Sequence, residues 1–260
     1  MSNSYSDNYY SPDLLTCLNP SIRNLQGLEL ITEHHAISSD SYKQRVNKTF
    51  INSHLGKFNE YKNNEDGSIF RIVILHPNKS EAITGADLIY EQYDIERKQV
   101  RIVAIQYKVW EKGVLYFSQS GSLNNQIKRM KGCFCDDNYC CDENKKNSSV
   151  DLFRLPYCSA FLRPTDKLQN PNSLITSGFH VPICKIDSIK TQTHQGDKLE
   201  YKNVAECSIK SQTFEELFNL EKIGSRWLSI VELEKLYRQS AILEPNRNII
   251  LYAQTELKIR

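Results

Sequence analysis

Thr84-Gly85-Ala86-Asp87-Leu88 and Val103-Ala104-Ile105-Gln106-Tyr107-Lys108 decide how this chain is read. Each is part of an apolar run of strand length, Asp87–Tyr93 and Gln99–Lys108. The charged segment Asp94-Ile95-Glu96-Arg97-Lys98 separates the two runs, as expected of an antiparallel hairpin. Side chains alternate along a strand, so Gln106 and Lys108 share one face and Tyr107 takes the other. The hairpin centre sets Asp87 opposite Ile105 or Gln106. Opposite Gln106, all three polar groups converge; a slip of one residue separates them.

The pattern around the hairpin is that of an α/β protein with a central mixed β-sheet flanked by helices. Ile69–Leu75 reads as a strand, preceded by the turn Asn63-Asn64-Glu65-Asp66-Gly67 and ended by His76-Pro77-Asn78. Leu25–Ile37 reads as a short helix. Ser41–Phe58 reads as a second helix, with Tyr42, Val46, Phe50 (or Thr49) and Ile51 at helical spacing and Asp40 or Ser41 as its cap. Leu123–Met130, Phe214–Leu220 and Leu228–Gln239 read as helices. Val114–Phe117 and Asn248–Gln254 read as strands, and Leu155–Leu162 and Phe179–Ile186 as core segments. One domain is expected over 1–260, with its core at about 40–131, a cysteine-rich insertion at about 132–158 and a C-terminal extension at about 210–260.

Composition narrows the function classes. The 260 residues are 40% hydrophobic and 25% charged, enough for a sizeable core. The formal net charge is only +2, so a nucleic-acid surface must be a local patch. No apolar run has the length of a membrane span, and the first residues lack a signal-peptide pattern. A cytoplasmic protein without a membrane partner is the expectation.

Phosphodiester hydrolysis needs an activated water and neutralisation of charge building up on the phosphate, and a divalent cation serves both needs. Mg²⁺ takes hard oxygen ligands, and Mn²⁺ can stand in for it. Asp87 offers a carboxylate, Gln106 an amide oxygen and Tyr107 a backbone carbonyl, while Lys108 can orient water or stabilise phosphate charge. In these residues the chain resembles the PD-(D/E)xK, or restriction-endonuclease-like, nuclease superfamily, and most of all its Mrr-like branch with Gln-x-Lys. The resemblance covers about residues 40–131, as helix, strand, strand, strand, helix. It implies a Mg²⁺-dependent endonuclease acting on DNA, with Asp87, Gln106 and Lys108 as site residues and restriction or defence against foreign DNA as the setting. It also implies a further acid: Glu81 is the first candidate, and Glu33 and Glu60 are the alternatives. A non-cleaving nucleic-acid-binding module on the same fold is the competing reading, because Gln106 is neutral.

Lys128, Arg129 and Lys131 follow the hairpin and are candidates for phosphate contacts, against a merely solvated helix face. Arg163, after an apolar run, is a candidate for facing substrate, and His76 for lining the site. Five of the eight cysteines, Cys133, Cys135, Cys140, Cys141 and Cys158, are clustered. Four of them can hold a structural Zn²⁺, with Cys184 or His180 replacing one. The alternative is buried reduced thiols, and a third reading of the whole chain is a zinc-stabilised interaction protein. A homo-oligomer or a defence-system partner completes the expectations.

Overall fold

Residues 99–110 are nearly all buried, so the strand they form needs cover on both faces. The computed structural model describes residues 29–43, 47–54, 58–75, 79–118, 123–135, 139–140, 159–169, 178–240 and 242. The chain opens with β1 (Glu29–Leu30), α1 (Glu33–Lys43), β2 (Lys48–His54), β3 (Phe58–Asn63) and β4 (Ile69–Ile74). Then come α2 (Lys79–Thr84), β5 (Leu88–Asp94), β6 (Gln99–Trp110), β7 (Val114–Tyr116) and α3 (Leu123–Phe134). β8 (Ala160–Asp166), β9 (Leu168–Gln169) and β10 (Phe179–Pro182) precede α4 (Ile186–Ile189), β11 (Thr191–Thr193) and β12 (Gly196–Glu200). The described chain closes with α5 (Tyr201–Cys207), β13 (Ile209–Lys210), α6 (Ser211–Asn219), β14 (Leu228–Ser229) and α7 (Ile230–Gln239).

The main sheet runs β13-β10-β8-β6-β5-β4-β3-β2, with β14 beside the start of β6. It is mixed: β6 and β8 are parallel and the other pairs antiparallel. Two cores follow from the alternation along β6. Val100, Ile102, Ala104 and Trp110 pack with Leu123, Ile127, Met130 and Phe134 of α3 and with Leu233, Leu236 and Tyr237 of α7. Val103, Ile105 and Tyr107 pack with Ala36 and Ile37 of α1 and Phe214 and Phe218 of α6. The sheet is therefore covered by helices on both faces, the α/β class expected from the pattern. Among the described residues no helix is long and apolar enough to cross a membrane.

The hairpin, the strand at Ile69–Ile74 and the helix from Leu123 form as read. The helix expected over Ser41–Phe58 does not. α1 ends at Lys43, Asn47 takes a positive φ of 60°, and Lys48–His54 is an edge strand. Phe50 lies opposite Tyr61 on β3, its ring edge-on at 5.8 Å. Phe50 and Ile51 are 55% and 42% exposed, so their helical spacing marks no buried face. β-branched and aromatic residues suit the pleated edge instead. Asp40, expected as a cap, lies inside α1 and is buried. The segment Asn248–Gln254 and residue His76 lie outside the described residues.

Candidate active site

The loop before β5 sets where Asp87 stands. Thr84 closes α2, its hydroxyl donating to Ser80 O at 2.8 Å and accepting from Ala86 N at 3.2 Å. Gly85 follows with φ 76°, the left-handed conformation that ends many helices, and its N–H donates to Glu81 O at 2.7 Å. A Cβ here would sit inside contact distance of the Gln126 carbonyl on α3. Gly85→Ala combines a strained φ with a backbone clash and is expected to cost about 2–4 kcal/mol. Urea unfolding of the variant beside the wild type checks this.

The register then fixes the pair. Leu88 is opposite Ile105, and Asp87 N donates to Ile105 O at 2.9 Å while Asp87 O accepts from Leu75 N at 2.8 Å. Asp87 is therefore level with Gln106. Its Oδ2 accepts Gln106 Nε2 at 2.7 Å and the Tyr107 backbone N–H at 2.7 Å. Gln106 Nε2 also donates to Tyr107 O at 3.1 Å, so that carbonyl is already engaged. Both side chains are fully buried, and Gln106 Oε1 has no hydrogen-bond partner. A buried acceptor without a donor costs about 1–3 kcal/mol.

Lys108, two residues on, ends against α1. Its Nζ donates to Glu33 Oε1 at 2.9 Å, on the first turn of the helix. The three candidate acids are thereby separated. Glu33 meets Lys108. Glu81, half-buried on α2, accepts a long 3.5 Å contact from Gln126 Nε2. Glu60 is buried on β3, three strands from β6, where its Oε1 accepts Arg71 Nε at 3.0 Å. Gln126, within the helix that starts at Leu123, has in its Oε1 a second buried amide oxygen without a hydrogen-bond partner.

Of the basic residues, Lys128 and Arg129 are exposed on α3, whereas Lys131 is ion-paired with Asp187. That pairing, with Lys190, holds the Asp187 carboxyl below its ordinary range. Arg163, a candidate for facing substrate, has an internal partner. It is fully buried and binds Asp40 through Nε and, at 2.9 Å, through Nη2. An Arg after an apolar run carries no sign of its partner in the sequence, because Asp40 is 123 residues away.

Cys133, Cys135 and Cys140 are half-buried against the core, and Cys140 Sγ lies 3.7 Å from Cys135 O. Cys141 and Cys158 lie outside the described residues, and Cys184 is exposed. Among the described residues, no three or more His, Cys, Asp and Glu side chains are grouped to hold a metal ion. The Asp87–Gln106 pair brings together one carboxylate and one amide. Compared with family models, with curated proteins and with solved structures, the chain finds no match in any of the three.

Proposed function

We propose that this chain is a metal-dependent nuclease that hydrolyses DNA phosphodiester bonds on a restriction-endonuclease-like core. The observation that carries the reading is the contact between Asp87, just before β5, and Gln106, inside the neighbouring β6, with Gln106 Oε1 buried and without a hydrogen-bond partner. That oxygen and the carboxylate form a hard, all-oxygen donor set suited to Mg²⁺ or Mn²⁺. When bound, the metal supplies Lewis-acid stabilisation of phosphate charge and a more acidic water.

The chain's own residues divide the remaining work. Asp87 and Gln106 hold the cation. Lys108 leaves Glu33 to donate to a phosphate oxygen or to the attacking water, and Glu33, beside it, is the further acid. Lys128 and Arg129 contact the DNA backbone next to the site. The order of elements supports the reading: the acid stands before β5, Gln-x-Lys lies on its neighbour β6, and a basic helix, α3, follows. Restriction or defence against foreign DNA in the cytoplasm is the proposed setting, with a second copy or a defence-system protein as partner. A structural Zn²⁺ held by thiolates of the Cys133–Cys158 insertion belongs to the same proposal. Metal analysis of the purified chain is expected to find about one zinc per chain.

The deciding experiment incubates labelled single- and double-stranded DNA and RNA with the full chain in Mg²⁺, in Mn²⁺ or with EDTA. DNA is expected to be cut with either metal and left intact with EDTA. If no substrate is cut with either metal, the nuclease reading falls. The second reading, a module that binds nucleic acid without cutting, is favoured by the single carboxylate of the pair. Retarded mobility of DNA without cleavage would select it.

A further inference from the structure

We infer that the Tyr107 side chain, gripped by Asp40 and Arg163 on the far face of the sheet, positions the Asp87–Gln106 pair. This rests on the metal-dependent reading of that pair. The Tyr107 backbone joins the two faces. Its N–H donates to Asp87 Oδ2 at 2.7 Å and its carbonyl accepts Gln106 Nε2 at 3.1 Å, so both proposed ligands are fastened to the main chain of one residue, through the peptide groups on either side of its Cα. Where that main chain sits depends on where its ring is held.

The ring is held by charge and hydrogen bonds as well as by packing. Tyr107 Oη donates to Asp40 Oδ2 at 3.1 Å. That hydroxyl is fully buried, and a neutral phenol is a donor. Arg163 is the register partner of Tyr107 on β8, with its guanidinium 5.7 Å from the ring centroid. Burial pulls the Arg163 pKa down, but Asp40, with Tyr107 and Tyr90, outweighs it and leaves the pKa above its ordinary value. Its other donors reach Thr165 Oγ1 and, at 3.3 Å, Ser211 Oγ. Gly178, at φ 108°, leaves room where a Cβ would strike Arg163 Nη1. Asp40 lies seven residues after Glu33 on α1, about two turns along the same face. One helix therefore holds Tyr107 through Asp40 and Lys108 through Glu33, two consecutive residues of the proposed site.

Tyr107→Phe in the full chain keeps the ring and removes the hydroxyl. Tyr93→Phe is the matched control. Its hydroxyl is also buried and donates to Glu91 at 2.7 Å, in the opposite core. Two quantities are read: Mn²⁺ affinity by electron paramagnetic resonance titration, and hydrogen exchange of the Tyr107 amide relative to the Ala104 amide on the same strand. Tyr107→Phe is expected to weaken Mn²⁺ binding about tenfold, as loss of a group orienting metal ligands does, and to speed the relative exchange of Tyr107. Tyr93→Phe is expected to lower stability and move neither quantity. Unchanged Mn²⁺ affinity and exchange in Tyr107→Phe overturn the inference, as does an equal loss of affinity in Tyr93→Phe. Absence of Mn²⁺ binding by the wild type sinks the metal reading, and the relative exchange rate then decides by itself whether Tyr107 holds the pair.

Discussion

An Asp87→Asn variant is expected to lose Mg²⁺-dependent DNA cleavage by about 10³-fold while keeping its fold. Asparagine retains an oxygen that can accept the Tyr107 N–H and the Gln106 amide, the two donors now converging on Asp87 Oδ2. Alanine would orphan both in a fully buried position, at about 1–3 kcal/mol each, and would confuse lost chemistry with lost structure. The charge is what asparagine removes, and the neutral Gln106 leaves no second carboxylate in the pair to replace it. Lys108→Met is the companion variant. Its rate is expected to fall about 10²–10³-fold, whereas stability shifts by about 1 kcal/mol or less, because the surviving Glu33 is part-exposed and can be hydrated. Single-turnover cleavage of labelled DNA, beside thermal melts, separates the two effects. Wild-type rates in both variants would remove these residues from the site.

Much of this site was legible because a strand hairpin leaves few choices. The charged turn at 94–98 fixed the centre, and the two-residue period then set Asp87 beside Gln106 or one place away. The structure resolves that choice in favour of Gln106. The partners of Lys108 and Tyr107 were not legible. Alternation gives a direction, not the element found there, and Glu33 and Asp40 come from a helix 75 and 67 residues earlier. Asp40 looked like a cap because a polar residue before a periodic run is the ordinary signal for one. The misread helix over Ser41–Phe58 has a related cause: apolar residues on an edge strand need not alternate, since both faces can be partly exposed. Glu60, offered as a further acid, shows the limit most clearly. Its charge is visible in the sequence, but only the strand register makes Arg71 its cross-strand partner.

Arg71→Met is expected to cost about 3–5 kcal/mol, a large share of the stability of an ordinary domain. Glu60, Arg71 and Glu91 stand in one line across β3, β4 and β5, each opposite the next. All three are buried. Arg71 donates to Glu60 through Nε at 3.0 Å, to Glu91 through Nη1 at 3.1 Å and to Tyr93 Oη at 3.0 Å. Burial draws the Arg71 pKa down, but Tyr93, Glu91 and Glu60 outweigh it and hold the guanidinium above its ordinary value. Glu91 also accepts the hydroxyls of Tyr93 and of Tyr237, which ties α7 to the sheet. Methionine fills much of the stem volume but leaves two carboxylates on alternate strands with their shared cation gone. The cost should therefore come mainly from those stranded charges and only secondarily from packing. Adding Glu60→Gln and Glu91→Gln to Arg71→Met tests that division, since the amides can still accept hydrogen bonds without needing a cation. Urea unfolding should show the triple variant recovering more than half of the loss. A triple variant no more stable than Arg71→Met alone would mean that the guanidinium acts through its packing over Phe58 and Tyr93 instead.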